Sequence, residues 1–306
     1  MKNLFEIKKE LTAARETRQV TNAMYLLSSA QVKKSMGSVE HNRHYTTSIH
    51  RVMGEILHSA GSFSHPFLTP EPVGKTAFLV IASDKGMCGS FNHDVVDAAL
   101  AQVQTHPEPF ITTVGSVATD LFRAAGIEPS LQWIGPSVDP SLYYSRQIAE
   151  HFLEMYRLHQ IDEWVMIYTA YHSRSSWQVE TTRLLPLKES DFTDVVALDA
   201  AVHEPLYQPD EQSVFDTAVP QYLVGLVYEA LQQSAACESM ARMTAMQSAT
   251  DNADEMIRKL TLGYNAARQL AITSEINEIA NAAELAAENE AALQQSREDS
   301  PEKESD

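Results

Sequence analysis

The chain has 306 residues, 44% of them hydrophobic, with 41 acidic side chains against 23 Lys and Arg and a formal net charge of −18. That length holds one large domain or two smaller ones with material for a core, and the acidic balance excludes a nucleic-acid binder, which needs a basic face for phosphate. Two distant cysteines, Cys88 and Cys237, argue against a disulfide framework or metal spacing and for a reducing compartment; no apolar run approaches the ~20 residues that span a bilayer, and there is no signal-peptide core.

Residues 1–59 contain no Pro and, of Gly, only Gly37 and Gly54. Leu4, Ile7, Leu11 and Ala14 continue through Val20, Met24 and Leu27 at near-heptad spacing, which predicts one long amphipathic helix. At ~1.5 Å per residue it would reach roughly 85 Å, more than the diameter of a compact domain. It is basic, with nine Lys or Arg against five Asp or Glu. His41 and His44 lie three apart, a spacing able to clamp a metal, but the sequence suggests no third ligand and a solvated face is the simpler expectation. Three prolines and two glycines in AGSFSHPFLTPEPVG end the helix between Ser59 and Gly74.

A change of composition follows. Lys75–Ser83 is an apolar strand running into the turn Asp84-Lys85-Gly86-Met87-Cys88-Gly89, and His93–Gln104 has helical periodicity. Strand and helix alternate again over Pro109–Gly126, with a further strand at Gln132–Ile134 and a helix over Pro140–His159. Strands at Glu163–Ser173 and Trp177–Pro186 then pair as a hairpin. This alternation predicts an open α/β sheet with crossover helices. Gly74-Lys75-Thr76 looks like the end of a phosphate loop, but Thr69 stands where that motif needs Gly, and the triplet precedes a strand instead of following one. Asp84–Gly89 lies where open sheets bind ligands, although a tight turn whose glycines supply positive φ explains it as well. No neighbouring base supports Cys88 as a nucleophile.

Glu204–Asp210, EPLYQPD, reads as a Pro-bounded helix entry with Asp210 or Asp216 near the N-terminus, and Pro220 should kink or delay that helix. From Cys237 to Glu284 only Gly263 interrupts a run of strong helix formers. Ala253, Ile257, Leu260, Tyr264, Ala267 and Ala271 form a heptad seam, which restarts one residue later as Ile272, Ile276, Ile279, Ala283 and Ala286. A partner helix along this seam is expected, and the N-terminal helix is the candidate. Met240, Met243 and Met246 suit irregular seam packing. The helix is expected to extend to about Leu293, with disorder in the acidic, Ser- and Pro-containing stretch that follows. The expected architecture is α/β: a long antiparallel coiled coil of the terminal helices (1–59 and 210–293), an open, Rossmann-like middle domain (74–205) and an acidic disordered tail (294–306).

Three blocks carry a resemblance. ESMARMTAMQSATDNADEMIRKLTLGYNAARQLAITSEINEI, Glu238 to Ile279, resembles the C-terminal signature of the gamma subunit of rotary F-type ATP synthases. SDKGMCGSFN, Ser83 to Asn92, resembles that family's SD[RK]GLCG-x-[LY]N loop, and TRQVTNAMYLLSSAQVKKS, Thr17 to Ser35, resembles its I-T-K-A-M segment more loosely. The blocks stand in the family's order and span most of the chain. The resemblance implies a bacterial-type central rotor shaft without a catalytic site, cofactor or metal of its own. Its partners would be the alpha and beta subunits of the catalytic ring, the epsilon subunit and the membrane c-ring. Attachment to the cell membrane, peripheral and on the cytoplasmic side, would run through those partners.

The resemblance also implies residue roles. Arg268 and Gln269 match an R-Q pair, Thr273 and Glu275 an I-T-x-E pattern, and Arg242 the Arg of A-R-M; with Met24 these are the implied contacts to the alpha/beta ring. Arg268 supplies a planar, permanently charged fork for a carboxylate, and Gln269 both donates and accepts. Tyr207 is implied to face the c-ring and epsilon. The chain departs from the pattern at Asn22 and Gln31, where many members carry Lys, and in continuing beyond Glu284. Two readings compete with the rotor: a coiled-coil adaptor with an α/β head, and a nucleotide-using enzyme.

Overall fold

A computed structural model describes residues 3–59, 65–68, 74–173, 176–192 and 207–298; the side chains of 38–43, 58–59, 173, 189 and 292–298 lie outside that description. Helix α1 runs Leu4–Ser59, and then come strand β1 (Lys75–Ile81), α2 (Phe91–Val103), β2 (Glu108–Val114), α3 (Ser116–Ala124), β3 (Leu131–Trp133), α4 (Leu142–Arg157), β4 (Glu163–Ser173), β5 (Ser176–Leu185), a 3-10 turn at Glu189–Phe192 and α5 (Glu211–Glu298). The chain divides into two compact units, one of residues 1–22 with 248–306 and one of residues 23–247.

In the larger unit the sheet order is β3-β2-β1-β4-β5. β1, β2, β3 and β4 are mutually parallel, and β5 closes an antiparallel hairpin on β4. The strands advance outward from β1 to β3, then α4 returns the chain to the other side of β1, so the order reverses between β1 and β4. The expected open sheet and its hairpin are therefore present. Period-two alternation explains why β1 reads as one apolar run: Ala77, Leu79 and Ile81 enter one core, Phe78 and Val80 the other. The first core packs α4 (Ile148, Phe152), α5 (Phe215, Val219, Leu223, Val227) and the end of α1 (Met53, Ile56) on the sheet. Phe152 stacks on Trp164 with centroids 4.6 Å apart. The second core packs α2 and α3 through Val95, Val96, Ala99, Ala118 and Phe122.

In the smaller unit the two chain ends pair. Ile7, Leu11, Ala14 and Thr21 of α1 are buried, as is Ala253 of α5. The Thr250 hydroxyl donates to that of Thr21 at 2.8 Å, and Arg18 pairs with Asp254. Three residues up α1 thus correspond to four residues down α5, which makes the pair antiparallel. On α5 Ala253 is buried and Ile257, Leu260, Tyr264, Ala267 and Ala271 are partly buried, the seam the sequence predicts.

Several expectations need correction. Val20 and Leu27 are 58% and 71% exposed. The steps 4, 7, 11, 14 continue as 18 and 21, so a seam read through Val20 is one residue out of phase with the heptad. The restarted seam of Ile272, Ile276 and Ile279 has no partner among the described residues: these side chains are 43%, 60% and 70% exposed. In this antiparallel register α1 begins, at Leu4, near the level of Arg268, and α5 simply outruns it. Pro220 does not delay α5, which starts at Glu211. Asp210 caps it, accepting from the Ser213 amide at 2.8 Å and hydroxyl at 3.0 Å, and burial of Phe215, Val219 and Leu223 around Pro220 offsets the hydrogen bond that proline cannot donate. The helix also continues past Leu293 to Glu298; the expected disorder from residue 299 falls outside the described residues. His44 is exposed, and the side chains of His41–Arg43 lie outside the description.

Candidate functional site: a sheet edge closed by α5, and a helix end laid bare

In an open parallel sheet the crevice beyond the strand that precedes the order reversal is where ligands bind. Here that position, after β1, holds Ser83–Ser90, and the chain's own side chains fill it. Cys88 and Phe91 pack against Cys237, Met240 and Ala241 of α5, with Val32 of α1, Tyr171 and Trp177 at the margin. Burial pushes the Cys88 thiol up, against the pull of the Arg242 charge, and pushes the Cys237 thiol up to about 12. Such thiols are protonated and poor nucleophiles at neutral pH.

Asp84 organises this edge. Its Oδ1 accepts from the amide of Ser116, the first residue of α3, at 2.9 Å; its Oδ2 accepts from the Gly135 amide at 3.1 Å and the Ser137 hydroxyl at 2.6 Å. A carboxylate from the chain thus occupies a helix N-terminus of the kind that elsewhere receives phosphate. Gly115 at φ 96 lets β2 enter α3 so close to Ser83 that an added Cβ would lie 2.6 Å from its carbonyl oxygen. The phosphate-loop lookalike has its own carboxylate as well, since Asp162 accepts from the Gly74 amide at 3.0 Å and the Lys75 amide at 2.8 Å. In the Asp84–Gly89 turn the positive φ values belong to Met87 and Gly89, both at 62°; Gly86 is not among them. Met87 is pushed outward and is 63% exposed.

Arg242 projects from α5 onto this turn. Its Nη2 donates to the carbonyl of Lys85 at 3.0 Å and, with Nε, to that of Gly86 at 3.3 Å. Nη2 also donates to Glu238, one helical turn earlier. Burial raises the Glu238 carboxyl above the usual carboxylate range, and the Arg242 charge opposes that rise. Two of the three blocks that carry the resemblance therefore touch one another. Nothing in the spacing of the sequence announced that the Glu and Arg of ESMAR meet the carbonyls of SDKG, because a backbone acceptor leaves no mark on residue identity.

The other expected contact residues lie elsewhere. Met24 is partly buried on α1. Arg268, Gln269, Thr273 and Glu275 are all exposed on α5 in the smaller unit, where the Thr273 hydroxyl turns back to the Gln269 carbonyl at 2.9 Å. At 100° per residue Arg268, Ile272, Glu275 and Ile279 share one side of the helix, and Gln269, Thr273 and Ile276 the adjoining one. After Ala271 every residue described through Ala291 is exposed. Sequence reasoning assigned these isoleucines to a paired seam; the register between α1 and α5 was the missing signal.

Tyr207 is half-buried against the main core. Beside it opens a groove of about 580 Å³ lined mainly by Tyr45, Ile49, Val52, Pro209, Val214 and Ala218. Among the described residues no group of three or more His, Cys, Asp or Glu side chains is arranged to hold a metal, and no helix is long and apolar enough to cross a membrane.

The comparisons with known proteins agree with this architecture. A family model described as ATP synthase matches residues 3–285. The ATP synthase gamma chain of Heliobacterium modesticaldum is 32% identical over 286 residues, covering 92% of this chain and 99% of that one. The gamma chain of Caldanaerobacter subterraneus is 36% identical over 293 residues with the same coverage. Among solved structures, the rotor of the Euglena gracilis mitochondrial ATP synthase superposes with a TM-score of 0.61 at 15% identity, covering 88% of this chain and 98% of that one, a likeness of fold. With a doubly wound sheet whose ligand crevice is filled from within, terminal helices wound together, and relatives above 30% identity along nearly their whole length, the chain belongs to the ATP synthase gamma chain family.

Proposed function

We propose that this chain is the central shaft that couples ion flow through a membrane c-ring to ATP synthesis or hydrolysis in an alpha/beta ring, and that it does so without bond chemistry of its own. The carrying observation is the bare end of α5, where Ile272, Ile276 and Ile279 stand exposed beside Arg268, Gln269, Thr273 and Glu275. An apolar stripe offers weakly directional contacts that slide, while the polar residues flanking it give each angle a distinct contact free energy. That difference is what shifts the nucleotide affinity of each beta subunit in turn. Deep ion pairs on every side would instead trap one angle, since breaking a buried pair costs ~3–5 kcal/mol.

In this reading Arg268, Gln269, Thr273 and Glu275 touch the beta subunits, and Met24 contributes from α1. The groove beside Tyr207 receives the epsilon subunit, while the neighbouring surface meets the c-ring. The chain is then held at the cytoplasmic side of the cell membrane through those partners. The test is a chain ending before Arg268, assembled with the remaining subunits in membrane vesicles. Ion-driven ATP synthesis is expected to fall severely, and full synthesis by the truncation would overturn the proposal.

A further inference from the structure

We propose that Arg242 is a positioning residue whose guanidinium latches the loop between β1 and α2 onto α5, so that sheet and helix turn as one body. The consequence rests on the shaft reading above; the latch itself rests on geometry within the larger unit.

Between α5 and the sheet, torque crosses the main apolar core, the hydrogen bonds that Gln233 accepts from the Tyr171 amide at 3.1 Å and that the Ser234 hydroxyl donates to the Ile81 carbonyl at 3.5 Å, and, at the loop after β1, two further kinds of contact. The cluster of Cys88, Phe91, Cys237, Met240 and Ala241 is apolar, and apolar burial is non-directional: a small rotation of α5 about its axis keeps most of it. The bonds from Arg242 to the Lys85 and Gly86 carbonyls are directional and charge-assisted, and the same rotation breaks them. A planar fork on two successive carbonyls fixes orientation as well as distance, which a lysine's single ammonium does not. Glu238 holds the guanidinium from one turn earlier on the same helix, with both side chains largely out of solvent. At its other end the loop is tied to α3 and to the β3–α4 connection through Asp84. A continuous path of hydrogen bonds therefore runs from α5 through the Lys85–Gly86 backbone to the edge of the sheet.

Cys88 supplies the readout, because it lies inside the latched loop and is 1% exposed. In the purified full chain carrying Cys237→Ala, the rate of Cys88 alkylation by a maleimide measures opening of the loop. Arg242→Ala is expected to raise that rate about tenfold or more, with Arg242→Lys in between. Should the alanine variant fail to fold, Arg242→Met combined with Glu238→Gln, which strands no buried charge, is expected to give the same acceleration. An unchanged Cys88 rate in the double variant overturns the latch. In the assembled ATP synthase the same variants are expected to pump fewer ions per ATP hydrolysed, in rank order with Cys88 reactivity. Lost pumping with Cys88 still protected would also overturn it and assign Arg242 to a direct contact with the ring. A chain that never enters the synthase strikes the shaft reading alone, and the alkylation rates still decide the latch.

Discussion

Asp84 and Arg242 show how a ligand-binding edge becomes a structural joint. The first occupies a helix N-terminus with a carboxylate of the chain's own, and the second spends a charged fork on backbone carbonyls. Cys237, packed beneath that joint, provides a test of its burial. Its thiol is pushed from an ordinary 9.0 up to about 12 by desolvation, so the folded chain holds the proton more tightly than the unfolded chain does. The stability this group contributes is whole below pH 9 and is lost as pH climbs toward 12, by something on the order of a few kcal/mol. Cys237→Ala should cost about 1 kcal/mol near neutrality through lost packing, and its deficit against the parent chain should narrow or reverse near pH ~11. Urea midpoints of both chains at the two pH values measure this; a deficit that stays constant would mean that the thiol is not desolvated in the folded state.

At the level of elements, the two helices of the smaller unit pair along a short stretch of seam. Leu11 is buried in it while Ile276, on the same α5 that supplies the facing residues, lies beyond the reach of α1. Leu11→Ala should destabilise the helical pair by about 2–4 kcal/mol, whereas Ile276→Ser should change stability by less than about 0.5 kcal/mol. Thermal melts followed at 222 nm separate the two variants. Equal losses would mean that the end of α5 is covered in the free chain. Arg18 and Asp254, each about half exposed, add little to this unit despite their close approach.

For the whole molecule, the family match stops at residue 285, whereas α5 continues to Glu298. The stretch from Ala286 to Asp306 carries seven acidic residues against two basic ones, and its described side chains are exposed. Ending the chain after Leu285 should therefore leave assembly and ion pumping per ATP unchanged, as measured in vesicles with the complete enzyme. Failure to assemble would give the tail a role that its exposure does not suggest.

The sequence by itself determined the elements. Heptad spacing marked the seam from Ala253 to Ala271, the apolar run of Lys75–Ser83 marked a strand, and the alternation of strand and helix patterns marked an open sheet with crossover helices. These are local signals, carried by which side chains repeat and how often. Only the tertiary structure decided how far α1 reaches along α5, and so whether Ile272 to Ile279 are paired or bare. It alone decided that Arg242 spends its donors on Lys85 and Gly86. Register between distant segments and bonds to backbone carbonyls depend on packing across the chain, and neither is written in the identity of any single residue.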